Sequence, residues 1–338
     1  MNLFSIATYK VWWKASRYHF TIFSSLPILF GSAIALSTKH SFSIPHLLLM
    51  LLAVILNHIA LNLSDDYFDF LHGADVLGDG EGNAYSGGSR VLVTGELSPL
   101  NFKIAFIILY SLVACIGLYF VYISGPLILL LGFIGLFSSY YYTAPPIKFS
   151  YRGLGEVCMF INFGPILIMG AYYVQAHAFE SGAFLMSLPL GLLTLAVILC
   201  NEIPDDKSDA AAGKRTLVVR FGRKNGLILA ILTVIISYAI IFYAILLGYA
   251  PLYTCLSLLT IPLAYSSFHS LYNTLQDGAP DANSGIMQVH LYISLILIAS
   301  YLIQAALEGH SLHGIIAILF ATIILMFPAY CKQQSVST

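Results

Sequence analysis

The chain has 338 residues, of which 59% are hydrophobic and 9% charged, and its net charge is −1. An ordinary soluble domain carries roughly 25% charged residues, so these few charges cannot cover a water-facing surface of this size. The composition excludes an ordinary soluble protein and indicates that lipid surrounds most of the chain. A net charge near zero argues against a nucleic-acid partner.

Ten stretches of the sequence are apolar over about 20 residues, which is the length that a transmembrane helix needs. Together they predict an all-α fold, a polytopic helical bundle that crosses the lipid bilayer repeatedly. The predicted spans are 19–37, 45–64, 104–123, 126–143, 154–176, 183–202, 225–247, 251–273, 286–307 and 312–330.

The lysines and arginines fall almost entirely on one side of this predicted map. Of the fifteen, only Lys39 lies in a loop that leads from an odd-numbered to an even-numbered span. Because cytoplasmic loops carry an excess of Lys and Arg, we expect the N-terminus and the basic loops to be cytoplasmic. We expect the protein to be integral to a bacterial or archaeal cell membrane.

The second predicted span ends in an acidic cluster that contains Asn62, Asp65, Asp66 and Asp69 and is followed by Asp75. At 100° per residue, the first four side chains fall within about 100° of arc, which is one face of a helix. Three carboxylates this close repel one another unless a cation lies between them. Carboxylate oxygens suit Mg²⁺, which also bridges to phosphate oxygens.

The sixth predicted span ends in a matching cluster, NEIPDDKSD at 201–209. Asn201, Asp205 and Asp209 recur every four residues and share one helix face, and Pro204 predicts that the helix kinks or ends there. Four predicted helices separate the clusters, which indicates an internal four-helix repeat with one site between its halves. Two such clusters form a two-metal clamp for a shared polyanion, whereas a single Asp pair would be interpreted as solvated charge.

Basic and aromatic residues accompany the clusters on the same predicted side of the membrane. Cationic side chains there are candidates to bind phosphate oxygens or an acceptor carboxylate, and the alternative is that some are interfacial anchors beside an aromatic belt. The candidates are Arg90, Tyr142, Lys148, Arg152, Lys214 and Arg215. For His58 and His290, inside predicted spans, we expect hydrogen bonds between helices.

These motifs jointly resemble the UbiA superfamily of intramembrane prenyltransferases, and within it the 1,4-dihydroxy-2-naphthoate prenyltransferases of menaquinone synthesis. The GxD that follows the first cluster and the GKRTL block favour the naphthoate branch. The segments that carry the resemblance are NLSDDYFDFLHGAD at 62–75, GGSRVLVTGELSP at 87–99, YYTAPPIKFSYRGLGE at 141–156, GAYYVQ at 170–175 and NEIPDDKSDAAAGKRTLVVRFGR at 201–223.

The resemblance implies nine core transmembrane helices around a central cavity, with 312–330 as an additional helix. All would belong to one membrane domain, 1–338, with its core at about 15–310. It implies Mg²⁺-dependent transfer of a polyprenyl group from polyprenyl diphosphate to an aromatic acceptor. The chain departs from the naphthoate branch at Asp65, where Asn is more usual, and at Glu202 and Pro204, which replace Asn and Arg.

The resemblance also implies roles for individual residues. Asn62 and Asn201 would orient metal-bound water or diphosphate, and Arg152 would bind the acceptor carboxylate. The implied catalytic metal ligands are Asp66, Asp69, Asp205 and Asp209, with Asp65 or Asp75 assisting. Arg90, Lys148, Lys214 and Arg215 would neutralise the leaving diphosphate.

Two alternatives to the naphthoate prenyltransferase remain at this stage. Within the superfamily, the acceptor could be 4-hydroxybenzoate, haem or a chlorin. From a different class, an internal repeat with acidic residues would also fit a membrane transporter. Transporter sites lie near the bilayer midplane, however, whereas these clusters lie at helix ends on one side.

Overall fold

The computed structural model describes residues 6–74, 88–277 and 284–336, and within these ranges the chain is helical without any strand. The helices are α1 (Ile6–Ser16), α2 (Thr21–Lys39), α3 (Ile44–His72), α4 (Pro99–Ser124), α5 (Pro126–Tyr140), α6 (Gly155–Ala176), α7 (Ser181–Ala211), α8 (Leu217–Phe221), α9 (Arg223–Leu246), α10 (Ile261–Asp277), α11 (Ser284–Leu307) and α12 (Leu312–Val336). A 3₁₀ segment, Leu252–Thr260, leads directly into α10.

The helix ends follow local sequence signals. The hydroxyl of Ser43 accepts the N–H of His46 at the start of α3, and Ser98 caps α4 in the same way. A proline follows each of these serines, at a position where its missing N–H costs nothing. Gly73 ends α3 in a left-handed conformation (φ 78°), which glycine adopts without steric penalty.

The predicted all-helical membrane bundle is confirmed. Among the described residues, seven helices are long and apolar enough to cross a membrane: α2, α3, α4, α6, α7, α9 and α11. Helix α5 and the stretch Leu312–Met326 of α12 are apolar but shorter. The count of nine core spans and the internal repeat stay predictions.

The two helices that carry the acidic clusters are longer than the predicted spans. Helix α3 continues to His72, and α7 passes through Pro204 to Ala211 without a break. Of the predicted kink or end at Pro204, the end is wrong, because a proline removes only one backbone donor and the buried Ile203 packs this turn into the core. A kink there stays a prediction. Both clusters therefore lie on helices rather than in loops.

Close backbone contacts bring the central helices together. Helix α2 is almost entirely buried, and a methyl group at Gly31 would overlap the carbonyl of Ile168 in α6. Between α6 and α7, a methyl group at Gly164 would lie 2.8 Å from the carbonyl of Ser187. Helix α6 also contains one π turn, Asn162–Ile166, a feature that is frequent at functional sites.

The run 312–330, predicted as an additional helix, belongs to α12. Its first turn packs on the end of α2, since a Cβ at Gly314 would lie 3.2 Å from Leu36 Cδ2 of α2 and 3.0 Å from the Phe42 ring that follows α2. Its side chain at Ile318 is fully buried. Whether α12 crosses the bilayer stays a prediction.

Candidate active site

The first acidic cluster occupies the last turns of α3, and its central carboxylates are buried. Asp66 is 2% exposed and Asp69 is 4% exposed. The Arg17 guanidinium lies 3.0 Å from Asp66 Oδ1 and 3.3 Å from Asp65 Oδ2. The backbone N–H of Ser89 donates to Asp66 Oδ2 at 3.1 Å. A cation and a backbone donor thus offset the cost of burying this charge.

Asp69 joins the first cluster to the second. The Tyr151 hydroxyl donates to Asp69 Oδ1 at 2.8 Å, and Lys214 Nζ donates to Asp69 Oδ2 at 2.6 Å. The same ammonium lies 4.0 Å from Asp209 Oδ1 at the end of α7. One ammonium group therefore fits between carboxylates of the two clusters.

The turn Phe149–Arg152 places the Tyr151 ring beside this ammonium. The Tyr151 ring lies 5.5 Å from Lys214 Nζ and 5.0 Å from Lys148 Nζ, measured to the ring centroid, at cation–π distance. Gly153 has φ 66°, and a Cβ there would lie 2.8 Å from the Arg215 carbonyl. Glycine at this position lets the turn approach the segment that carries Lys214.

Three backbone N–H groups hold that segment in place. The N–H of Lys214 donates to the Asp209 carbonyl at 2.8 Å, and that of Arg215 donates to the Tyr151 carbonyl at 3.2 Å. The N–H of Leu217 donates to the buried Glu156 side chain at 2.5 Å. The position of Lys214 is therefore set by α6 and α7 together.

The charges of the site keep its donors protonated. Burial lowers the pKa of Lys214, but the carboxylates of Asp69, Asp65 and Asp209 outweigh burial and raise the pKa well above its ordinary value. Burial and the Asp69 carboxylate raise the pKa of Tyr151. Lys214 is consequently a cation, and Tyr151 a neutral donor, throughout the physiological range.

The second cluster is more open than the first. The Asp209 side chain is 16% exposed, and Asp205 is half-buried. Asp206 forms an ion pair with Arg223 of α9 instead of contacting Lys214. The structure thus brings Asp209 to the first cluster and directs Asp206 away from it.

The remaining predicted residues fall into two groups. Asn62 and Asn201, with Tyr142, line the cavity described below, and burial followed by the charge of Glu202 raises the pKa of Tyr142. Arg152 and Arg215 are exposed and do not line it, and the Arg152 guanidinium donates to the Pro146 carbonyl at 2.9 Å.

Arg90 and Asp75 are the last of the predicted site residues. Arg90 follows Ser89 in a left-handed conformation (φ 59°), and its carbonyl accepts the Thr94 N–H at 2.9 Å. Asp75 lies outside the described residues.

A cavity of about 180 Å³ opens beside Asp65 and runs inward between the helices. Arg17 belongs to its polar end, together with the asparagines of both clusters. Its deeper walls are mostly apolar and include Met159, Val197 and Ile198. The π turn of α6 contributes Phe163 to the same walls.

Two histidines lie deep in this cavity and bond to neighbouring helices, as predicted. His58 Nδ1 forms a short hydrogen bond with Ser24 Oγ of α2. His290 Nε2 lies 3.1 Å from Thr194 Oγ1 of α7. The predicted interhelical hydrogen bonds are confirmed.

The sequence interpretation missed Arg17 and Tyr151 as site residues. Arg17 contributed only to the topology map, although it directly precedes the first span on the side of both clusters. A basic residue at this position is a signal in the sequence that could have indicated a site residue. Nothing in the sequence alone distinguishes Tyr151 from Tyr140 or Tyr141, because its role depends on the fold of the 149–152 turn.

The donor chemistry fits a magnesium ion bound together with a phosphate ligand. Among the described residues, no three Asp, Glu, His or Cys side chains converge as a complete metal cage. Mg²⁺ does not require one, because it is commonly held by one or two carboxylates plus substrate phosphates. Asp66 Oδ1 is sealed from solvent with the Arg17 guanidinium 3.0 Å away, and Lys214 shows that a cation fits between Asp69 and Asp209.

Comparison with known sequences identifies a family and similar proteins. The sequence model of the UbiA prenyltransferase family matches residues 24–292. The chain is 27% identical over 297 residues to the 2-carboxy-1,4-naphthoquinone phytyltransferase of Synechocystis sp., covering 87% of this chain and 94% of that protein. It is 25% identical over 258 residues to the 1,4-dihydroxy-2-naphthoate octaprenyltransferase of Bacillus subtilis, covering 75% and 79% respectively.

The fold is similar to that of a solved membrane protein. The structure of a UbiA homolog from Archaeoglobus fulgidus, bound to DMAPP and Mg²⁺, superposes with a TM-score of 0.60 at 17% sequence identity. The superposition covers 87% of this chain and 99% of that one. At this identity the likeness supports the fold alone.

Proposed function

Because this chain belongs to the UbiA prenyltransferase family and is thus a membrane-embedded prenyltransferase, we propose that it transfers a polyprenyl group from polyprenyl diphosphate to 1,4-dihydroxy-2-naphthoate. The observation that carries the proposal is the position of Lys214 between Asp69 and Asp209, in the same acidic site whose Asp65 lines a mostly apolar cavity. This combination suits a ligand with an anionic head and an apolar tail. The names of the two curated relatives support a naphthoate-type acceptor.

The acidic side chains of both clusters serve as the metal ligands in this proposal. When bound, Mg²⁺ supplies positive charge to the diphosphate oxygens and so improves diphosphate as a leaving group. The solved homolog bound to DMAPP and Mg²⁺ supports this choice of metal. The proposed ligands are Asp65, Asp66, Asp69, Asp205 and Asp209.

The cationic side chains stabilise the negative charge that develops on the departing diphosphate. Lys214 and Arg17 already contact the metal-ligating carboxylates, so each is within reach of a phosphate bound there. Charge-assisted hydrogen bonds of this kind are about twice as strong as neutral ones. Preorganised charge in a site with little water is the main catalytic contribution, and the apolar cavity walls keep water from capturing the allylic carbon.

The metal assignment is tested with Asp66→Asn and Asp205→Asn, assayed in membranes with Mg²⁺ and a labelled prenyl diphosphate. Both variants should lose most of their transfer activity because each removes a ligand charge. Asp206→Asn is the matched control, since Asp206 pairs with Arg223 and not with Lys214. Near-normal transfer by the first two variants would contradict the assignment.

The acceptor is tested by product mass spectrometry with competing acceptors. When 1,4-dihydroxy-2-naphthoate and 4-hydroxybenzoate are supplied together, we expect the prenylated product of the naphthoate, with its carboxylate lost as CO₂. A product made only from 4-hydroxybenzoate, haem or a chlorin would leave the prenyltransferase in place and replace the acceptor. The transporter alternative is set aside because the chain is a prenyltransferase.

The proposed orientation places both clusters at the cytoplasmic face of a bacterial or archaeal cell membrane. It rests on the one-sided distribution of Lys and Arg. Cysteines introduced at Lys39 and Arg215 report it through a membrane-impermeant thiol reagent. In intact cells the reagent should label the first and not the second, and the opposite pattern would reverse the orientation.

A further inference from the structure

His58 presents one ring nitrogen to the cavity. The side chain is 8% exposed and lines the cavity wall on α3, and its Nδ1 is bound to Ser24 Oγ. Among the described residues, its Nε2 has no hydrogen-bond partner. This nitrogen is accessible from the cavity. The Phe163 ring meets the imidazole edge-on, with 6.1 Å between centroids. The imidazole is therefore held in place with Nε2 available.

This arrangement is unfavourable if the adjacent space holds only a hydrocarbon tail. A buried polar atom without a partner costs about 1–3 kcal/mol, and an isoprenoid carries no group that could satisfy Nε2. The other deep histidine differs, because its Nε2 contacts Thr194 at 3.1 Å and its Nδ1 lies 3.5 Å from Ser294 Oγ. Of the two cavity histidines, only His58 thus has a ring nitrogen without a partner among the described residues.

The position of His58 also limits what it can bind. It lies one helical turn from Asn62 on the same helix face, which is about 6 Å along the axis, and the carboxylates follow in the next turn. A ligand group at His58 is thus separated from the diphosphate end of the site by about the length of a fused two-ring system. A phenolic hydroxyl both donates and accepts hydrogen bonds, so it complements Nε2 in either imidazole tautomer.

We propose that His58 Nε2 binds a ring hydroxyl of the aromatic acceptor, so that the acceptor ring lies between α3 and the Phe163 side of the cavity. The inference rests on the proposed function, because it requires a hydroxylated aromatic acceptor. It adds a specific residue, His58, and its orienting partner, Ser24. His58 is thereby a binding and positioning residue for the acceptor and has no contact with the diphosphate.

The test compares full-length wild type with His58→Phe and His58→Gln in lipid nanodiscs. Binding of 1,4-dihydroxy-2-naphthoate is titrated by ligand fluorescence without Mg²⁺ or prenyl diphosphate, and KM is measured for each substrate. His58→Phe should weaken acceptor binding and raise the acceptor KM about tenfold, as expected for one lost buried hydrogen bond. The KM for prenyl diphosphate should stay within twofold. His58→Gln retains a polar end and should recover part of the loss.

His290→Gln is the matched comparison, since this second cavity histidine has partners on both nitrogens, and it should change acceptor binding less than His58→Phe does. Unchanged acceptor binding in His58→Phe, or a selective rise in the prenyl diphosphate KM, would overturn the inference. If wild type prenylates a different hydroxylated ring, the naphthoate proposal fails and the same titration is run with that ring. Wild type that binds no hydroxylated aromatic compound would overturn both.

Discussion

The two acidic clusters lie at equivalent ends of α3 and α7 but differ in how their charge is held. In the first, Asp66 and Asp69 are buried, and a guanidinium, an ammonium, a phenol and a backbone N–H surround them. In the second, Asp209 is partly exposed and lies 4.0 Å from Lys214. The charge of Asp66 and Asp69 is thus held by more partners and deeper burial than that of Asp209.

This difference has an energetic consequence. Removing one partner of a buried ion pair costs about 3–5 kcal/mol, because the other charge remains buried, whereas exposed pairs contribute about 0–1 kcal/mol. Substitutions in the first cluster should therefore lower both the activity and the stability of the protein. Substitutions in the second should lower the activity with little effect on stability. Four sets of measurements test this distinction.

The largest effect is expected from the two carboxylates that share Lys214. Asp69→Asn and Asp209→Asn should each lower the transfer rate about 10²–10³-fold, as observed when charge stabilisation is removed from other active sites. Only Asp69→Asn should also lower the melting temperature by several degrees, because it leaves the Lys214 ammonium in a buried position. Equal melting temperatures for the two variants would contradict the proposed asymmetry.

The next effect concerns Arg17. Arg17→Gln leaves the buried Asp66 carboxylate without its cation and should destabilise the protein by about 3 kcal/mol, measured by thermal unfolding in detergent. Lys14→Gln is the control from the neighbouring helix α1, since Lys14 forms a pair with Glu96 in which the side chains are 50% and 34% exposed. Similar losses of stability in both variants would show that burial does not determine how much an ion pair contributes to stability.

Lys214→Gln should have a smaller effect, strengthening the binding of a metal ion and weakening that of prenyl diphosphate. The ammonium occupies carboxylate oxygens that a metal ion would use, so its removal should tighten Mn²⁺ binding without diphosphate about fivefold, equivalent to ~1 kcal/mol. The KM for prenyl diphosphate should rise, because a phosphate-binding cation is lost. Arg223→Gln should change neither quantity, and weaker Mn²⁺ binding in Lys214→Gln would refute the competition.

The smallest effect concerns the exposed pair and depends on pH. The Lys14 ammonium and then the Thr94 hydroxyl lower the pKa of Glu96 below its ordinary value. A carboxylate whose pKa is lower in the folded state stabilises the fold at pH values above its unfolded pKa, about 4.3. This stabilisation is lost as the pH falls through the folded-state pKa. Thermal unfolding of wild type and Lys14→Gln should thus differ by less than about 1 kcal/mol at pH 7 and coincide near pH 3.

The sequence predicted features that depend on local chemistry. Spans follow from hydropathy, and the spacing of Asn62, Asp65 and Asp69 places them on one helix face because helical periodicity is fixed. The passage of α7 through Pro204 could not be predicted, since packing around Ile203 overrides the local penalty. The contact between Tyr151 and Asp69 also required the fold, because the two residues are 82 positions apart.

The first cluster depends on residues that precede the first span. Asn62 donates its amide to the Ser16 carbonyl at 2.9 Å, and Arg17 contacts both Asp65 and Asp66. The family match, however, begins at residue 24. A domain boundary drawn from similarity would remove the guanidinium that contacts both aspartates. Any shortened version of this protein should therefore keep Ser16 and Arg17.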